Sequence, residues 1–114
     1  MFGRILVVID GTRAGRDGLA FGADLVQQFG ASVWVHDVPA RGRGRRLVQG
    51  IAAEAGRREA DLIVLGLDRA RPAHRHTGGS LAEQVGRATA LPVMVTPAGR
   101  VTVPAPDQPG LTRV

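Results

Sequence analysis

An open, twisted parallel sheet of about four strands with helices on both faces is the fold class this sequence predicts, and three observations carry it. The β-branched stretches within Arg4–Asp10 and Asp61–Gly66 are continuously apolar instead of alternating, as strands covered on both sides are. They alternate along the chain with segments of helical spacing, which implies parallel pairing through right-handed crossovers. Aromatic residues make up only 4% of the chain against 44% hydrophobic residues, so the core is built from Val, Leu, Ile and Ala.

The first strand ends at the turn Asp10-Gly11-Thr12. From about Thr12 to Phe29 the residues Leu19, Ala23, Val26 and Phe29 fall near helical spacing, and Gly30 supplies a left-handed stop. Gly18 and Gly22 inside that helix each cost roughly 0.5–1 kcal/mol against alanine, so they either let the helix approach the sheet closely or are simply tolerated. Ala31–His36 reads as the second strand, followed by Asp37–Ala40 and a basic loop over Arg41–Arg46. A helix over roughly Arg45–Ala60 puts Leu47, Ile51 and Ala55 on one face and pairs Glu54 with Arg58 on its surface. The third strand is Asp61–Gly66. After a loop rich in Arg, His and Gly, Ser80-Leu81-Ala82-Glu83 forms a capping box, and Leu81, Val85 and Ala88 continue as the core face of a helix. Leu91–Thr96 is the last core strand. The segment Pro97–Val114 carries four prolines and reads as an extended or loose tail.

A chain of 114 residues is the size of one domain, here residues 1–98, with 99–114 as a C-terminal tail that offers an interface strand and is then flexible. The absence of cysteine excludes disulfides, thiolate nucleophiles and cysteine metal sites. No apolar run approaches the roughly 20 residues of a membrane helix, and the N-terminus lacks a signal-peptide profile, which predicts a cytoplasmic protein without membrane insertion. The net charge of +5, carried by arginine without lysine, favours anionic partners and does not choose among them.

In open α/β sheets ligands bind beyond the carboxyl ends of the strands, where neighbouring connections diverge. Asp10 ends the first strand; Gly66 ends the third and opens the loop to Gly78-Gly79-Ser80, which runs into a helix N-terminus suited to an anion. Arg69, Arg71, His74, Arg75 and His76 add positive or switchable charge to that loop. Ordinary structural roles stand beside these. Capping explains Ser80, and Asp10-Gly11 is also common turn chemistry. His74 and His76 lack a third ligand at metal-site spacing, and Arg41–Arg46 lacks the aromatics that stack on bases. No Ser/His/Asp arrangement or other catalytic constellation is legible, so no enzyme is predicted.

The stretches Ile5–Thr12, Asp61–Gly66 and Gly79-Ser80 through Val95, with Pro92-Val93 before the last strand, resemble the universal stress protein family along nearly the whole core. The resemblance implies a Rossmann-like fold of the adenine nucleotide alpha hydrolase type. Nucleotide-binding members carry G-x2-G-x9-G-[S/T], and Gly66, position 69 and Gly79-Ser80 keep that register. By the same resemblance ATP or AMP is the ligand: Asp10 on the ribose or base side, the backbone around Asp37 reading adenine, and Gly66, Gly79, Ser80 and Leu81 lining the phosphates. Three departures stand against it. Arg69 replaces the second glycine, Asp37 replaces an apolar residue beside the base, and only about twenty residues separate Val38 from Asp61, too few for the family's additional helix and edge strand.

The expected strand order is therefore second, first, third, last, with the second strand and Trp34 left at an edge that is either exposed or covered by something else. Family members commonly pair through the last core strand. That implies a homodimer through Val93, Met94, Val95 and Thr96, with the β-prone run Val101, Thr102 and Val103 adding to the interface and residues beyond Pro104 mobile. The leading function is a homodimeric stress-associated regulatory module with a degenerate nucleotide site and weak or absent ATP binding. Its alternatives are an interaction domain without nucleotide, or a nucleic-acid-binding accessory using the Arg-Gly loop.

Overall fold

The apolar run Arg4–Ile9 forms β1, the central strand of the sheet. In chain order there follow α1 (Arg13–Phe29), β2 (Ser32–Asp37), α2 (Gly44–Arg58), β3 (Leu62–Gly66), a two-residue pair β4 (Arg75–His76) and β5 (Gly79–Ser80), α3 (Leu81–Thr89), β6 (Val93–Val95) and β7 (Leu111–Arg113). The computed structural model describes residues 3–10, 13–38, 44–67, 75–76, 79–95 and 111–114. Five strands build one parallel sheet in the order β6-β3-β1-β2-β7, while β4 and β5 form a separate antiparallel pair. The protein is α/β, with the predicted order of the four core strands.

Successive residues of a strand face opposite sides, and the two resulting cores are distinct. Ile5, Val7 and Ile9 of β1 pack with Val33, Val35, Leu62 and Val64 beneath α1, where Leu19 is buried. Leu6 and Val8 pack with Ile63 and Leu65 on the other side, beneath Leu47 and Ile51 of α2 and Leu81 and Val85 of α3. This is why β1 and β3 read as unbroken apolar runs. Gly18 and Gly22 let α1 approach closely: a Cβ on Gly18 would lie 3.2 Å from the Gly66 Cα, and one on Gly22 would lie 3.2 Å from a Val7 methyl.

Helix ends follow the backbone chemistry. Gly30, at φ +66°, closes α1, and its N–H donates to the Val26 carbonyl at 2.9 Å. α2 stops at Arg58, before the expected Ala60, because Glu59 turns left-handed (φ +51°) and the Ala60 N–H reaches back to the Ala55 carbonyl. α3 ends in the same way at Ala90 (φ +58°), helped by Thr89, whose hydroxyl donates to the Val85 carbonyl at 2.7 Å.

Several expectations change. The second strand is not at the edge: Leu111, Thr112 and Arg113 pair in parallel with Val33, Trp34 and Val35, so the end of the tail is part of the sheet and supplies a fifth strand. No strand was expected between Val38 and Asp61, and among the described residues none lies there. Glu54 is buried, at 5% exposure, instead of lying on the surface, and it accepts bonds from both Arg57 (2.7 Å) and Arg58 (2.8 Å). Phe29, the last residue of α1, and Ala88, which borders a groove between α2 and α3, are exposed. Trp34 is half-buried at the β2 edge under two guanidiniums, with Arg4 Cζ 5.2 Å and Arg58 Cζ 5.9 Å from the ring centroid.

Candidate functional site

Three adjacent strands end level at the carboxyl edge of the sheet. Ile9 pairs with Asp37 on one side and with Gly66 on the other, so Asp10, Asp37 and Gly66 come together there although they lie far apart in sequence. The Val38 N–H donates to the Ile9 carbonyl at 2.8 Å and holds the end of β2 against β1. Asp10 is buried at 6% exposure, while Asp37 is exposed.

The chain leaves β1 and β3 in opposite directions. β1 leads through α1 to β2, and β3 leads through α3 to β6 on the other side, with α1 on one face of the sheet and α3 beside α2 on the other. The carboxyl ends of β1 and β3 therefore flank a crevice at a reversal of strand order, the place where this architecture binds ligands. The N-termini of α1 and α3 both lie at this end, and neither acidic residues in the first turn of α1 nor a bulky group at Gly18 closes it off.

Gly79 and Ser80 form β5, paired with Arg75 and His76, and they lead directly into Leu81, the buried first residue of α3. The loop expected between Gly66 and α3 thus contains a short antiparallel pair, with Glu83 in the first turn of the helix as a capping box requires. Arg69, Arg71 and His74 lie outside the described residues, so the departure at position 69 has no geometry to report. Among the described residues no group of three His, Asp or Glu side chains could hold a metal ion.

A groove of about 320 Å³ occupies the opposite end of the molecule, between the C-terminal halves of α2 and α3. Its walls are mostly alanine, with Gly56, Glu59 and Thr89, and they bring no convergent polar groups to a ligand. The candidate site is therefore the carboxyl edge, where Asp10, Asp37 and Gly66 meet.

Of the predicted interface residues, Val93, Met94 and Val95 make up β6, the outermost strand on the β3 side. Val93 and Val95 are half-buried against the α2/α3 core, and Met94, on the other face, is 42% exposed. Thr96, Val101, Thr102 and Val103 lie outside the described residues. The sequence reasoning passed over Leu111–Arg113; a β-prone Leu-Thr-Arg-Val run bounded by Pro109-Gly110 was the only signal for it.

Comparison with known proteins agrees with this fold. The model of the universal stress protein family matches residues 34–97, more than half of the chain. Among solved structures, the chain is similar to a universal stress protein from Archaeoglobus fulgidus at 18% identity and a TM-score of 0.60, over 85% of this chain and 95% of the other, which supports the fold. No curated protein sequence matches.

Proposed function

The chain belongs to the universal stress protein family, and from that premise we propose that it is a cytoplasmic, homodimeric regulatory module with a degenerate nucleotide site at the carboxyl edge of its sheet. The observation that carries this reading is the convergence of Asp10, Asp37 and Gly66 at the reversal of strand order beside the N-termini of α1 and α3. In this arrangement Asp10 holds the ribose side, and the backbone at Gly66 with the Gly79-Ser80-Leu81 entry to α3 takes the phosphates of ATP or AMP. Asp37 puts a carboxylate where an adenine ring needs an apolar wall, and Arg69 puts a long side chain where the loop needs a glycine. In this reading the module senses or holds a ligand.

Calorimetric titration with ATP, ADP and AMP tests the reading. Dissociation constants weaker than micromolar, tightened at least tenfold in Arg69→Gly, are the expected result; submicromolar ATP affinity in the unaltered chain rejects the degenerate site. A second reading, an interaction domain without any nucleotide, is favoured by the exposed Asp37 and by the lost edge strand. Absence of binding to both the unaltered chain and Arg69→Gly selects it. Homodimerisation is supported by the outer edge of β6, which pairs with no other strand among the described residues, and by the exposed Met94.

A further inference from the structure

The β2 edge of the sheet is closed by Leu111–Arg113. β6 and β7 lie at opposite edges of the sheet and run parallel. A single chain supplying both strands would need a connection that spans four strand spacings, roughly 19 Å, and also returns from the carboxyl to the amino end of the strands. A parallel crossover of this direction is right-handed only on the face that α1 already covers; on the other face it is left-handed and must pass outside α2 and α3.

A two-fold axis through the open edge of β6 changes this geometry. Such an axis pairs β6 with its own copy antiparallel, so the carboxyl end of one sheet lies beside the amino end of the other. The second copy's β7 position then begins at the same end at which β6 leaves. It is about five strand spacings away, roughly 24 Å, and fifteen residues at up to about 3.5 Å each reach it without crossing a helix layer. The two strands joined in this way are antiparallel, and the handedness restriction no longer applies.

We propose that β7 is exchanged between two copies of this chain, each tail supplying Leu111–Arg113 to the β2 edge of the other. The inference rests on the pairing through β6 proposed above. The contacts of β7 are the same whichever chain provides it: Leu111 packs on the α1 side near Gly22 and Val33, Thr112 lies beside Trp34, and the Val114 N–H donates to the Val35 carbonyl at 2.9 Å. Exchange therefore sacrifices no interaction of the strand. It ties the two subunits at two further places, and each sheet edge is completed only by the other chain.

The chain has no cysteine, so a disulfide reports the exchange directly. Trp34 and Thr112 are partners in register on neighbouring strands, within disulfide reach. A chain carrying Trp34→Cys and Thr112→Cys, oxidised in its native state, is expected to run at twice the chain mass without reductant. Trp34→Cys and Thr112→Cys chains mixed, unfolded, refolded together and oxidised are expected to yield the cross-linked heterodimer, in a share unchanged by tenfold dilution after refolding. His36→Cys with Val114→Cys repeats the test at the strand end if replacement of Trp34 prevents folding. Cross-links confined to single chains, with no heterodimer, overturn the exchange. The size of the unoxidised chain then separates the two ideas: a dimer leaves the β6 pairing standing, and a monomer rejects both.

Discussion

Gly18 and Gly50 occupy helix interiors with opposite surroundings, and the difference decides what alanine does at each. At Gly18 the added methyl would meet the Gly66 backbone at 3.2 Å, in the strand end that shapes the candidate site; around Gly50 there is no atom within 4 Å. Gly50→Ala is expected to stabilise the protein by about 0.5–1 kcal/mol through helix propensity alone. Gly18→Ala gains the same term but overpacks against main chain, for a net loss of about 1 kcal/mol. Denaturant melts of the two variants check this, and equal shifts would refute the close-packing account of Gly18. Glu54 makes the other prediction at this scale. The hydrogen bond from Arg57 holds its carboxyl below the ordinary value of 4.5; a bond from Arg58 and the charge of both arginines add to this, and burial works against it. A carboxyl lowered on folding stabilises fully above its unfolded value and loses that contribution as pH falls through its folded value. Stability should therefore be flat with respect to Glu54 near neutrality and decline below about pH 4.5. Glu54→Gln should cost about 1–2 kcal/mol at pH 7, the lower part of the range for charged hydrogen bonds because Arg57 is 65% exposed, and should flatten the acid-side decline.

The elements show what a shortened chain requires of its remaining parts. Among the described residues no strand lies between β2 and α2, and the outer edge of β2 would expose unpaired backbone groups and one side of Trp34; β7 covers the backbone, and Arg4 and Arg58 cover the ring. Arg4 is itself anchored, since its Nε donates to the Arg58 carbonyl at 2.8 Å and its backbone N–H to the Asp61 carboxylate at 3.1 Å. A chain ending at Gly110 should lose about 1–2 kcal/mol, the value of the half-buried Leu111 and a short ladder, and should aggregate with rising concentration. Equilibrium unfolding and light scattering measure both. Unchanged stability and no aggregation would mean that β7 contributes nothing to the edge.

On the scale of the whole molecule one edge of the sheet is closed by β7, and at the other no strand pairs with the outer side of β6 among the described residues; an open apolar edge is expected to find a partner. Met94 is the middle residue of β6, so across a two-fold axis it lies at or near its own copy. Met94→Lys places like charges together there and should shift the dimer toward monomer by at least tenfold in dissociation constant, with little change in monomer stability because the side chain is already 42% exposed. Sedimentation over a concentration series measures the shift; an unaltered dimer would put the interface elsewhere. The candidate ligand site also belongs to this scale, because only the parallel assembly of β2, β1 and β3 brings Asp37, Asp10 and Gly66 to one end.

The core was legible in the sequence because burial on both faces leaves a local mark: the unbroken apolar runs of β1 and β3, the spacing of Leu47, Ile51 and Ala55, and Gly30 at a left-handed stop each reflect chemistry within a few residues. Asp10, Asp37 and Gly66 were each legible as strand ends, a local feature, but their convergence depends on the register of three strands. What tertiary structure alone decided depends on partners distant in sequence. Glu54 looks like a surface ion-pair residue until α2 is laid on the sheet, and Leu111–Arg113 looks like loose tail until β2 offers an edge. Ala88 carries helical spacing but borders the groove between α2 and α3. A three-residue strand has too little pattern of its own; the unpaired edge of β2 is the physical reason it exists, and that edge arises only once the sheet has formed.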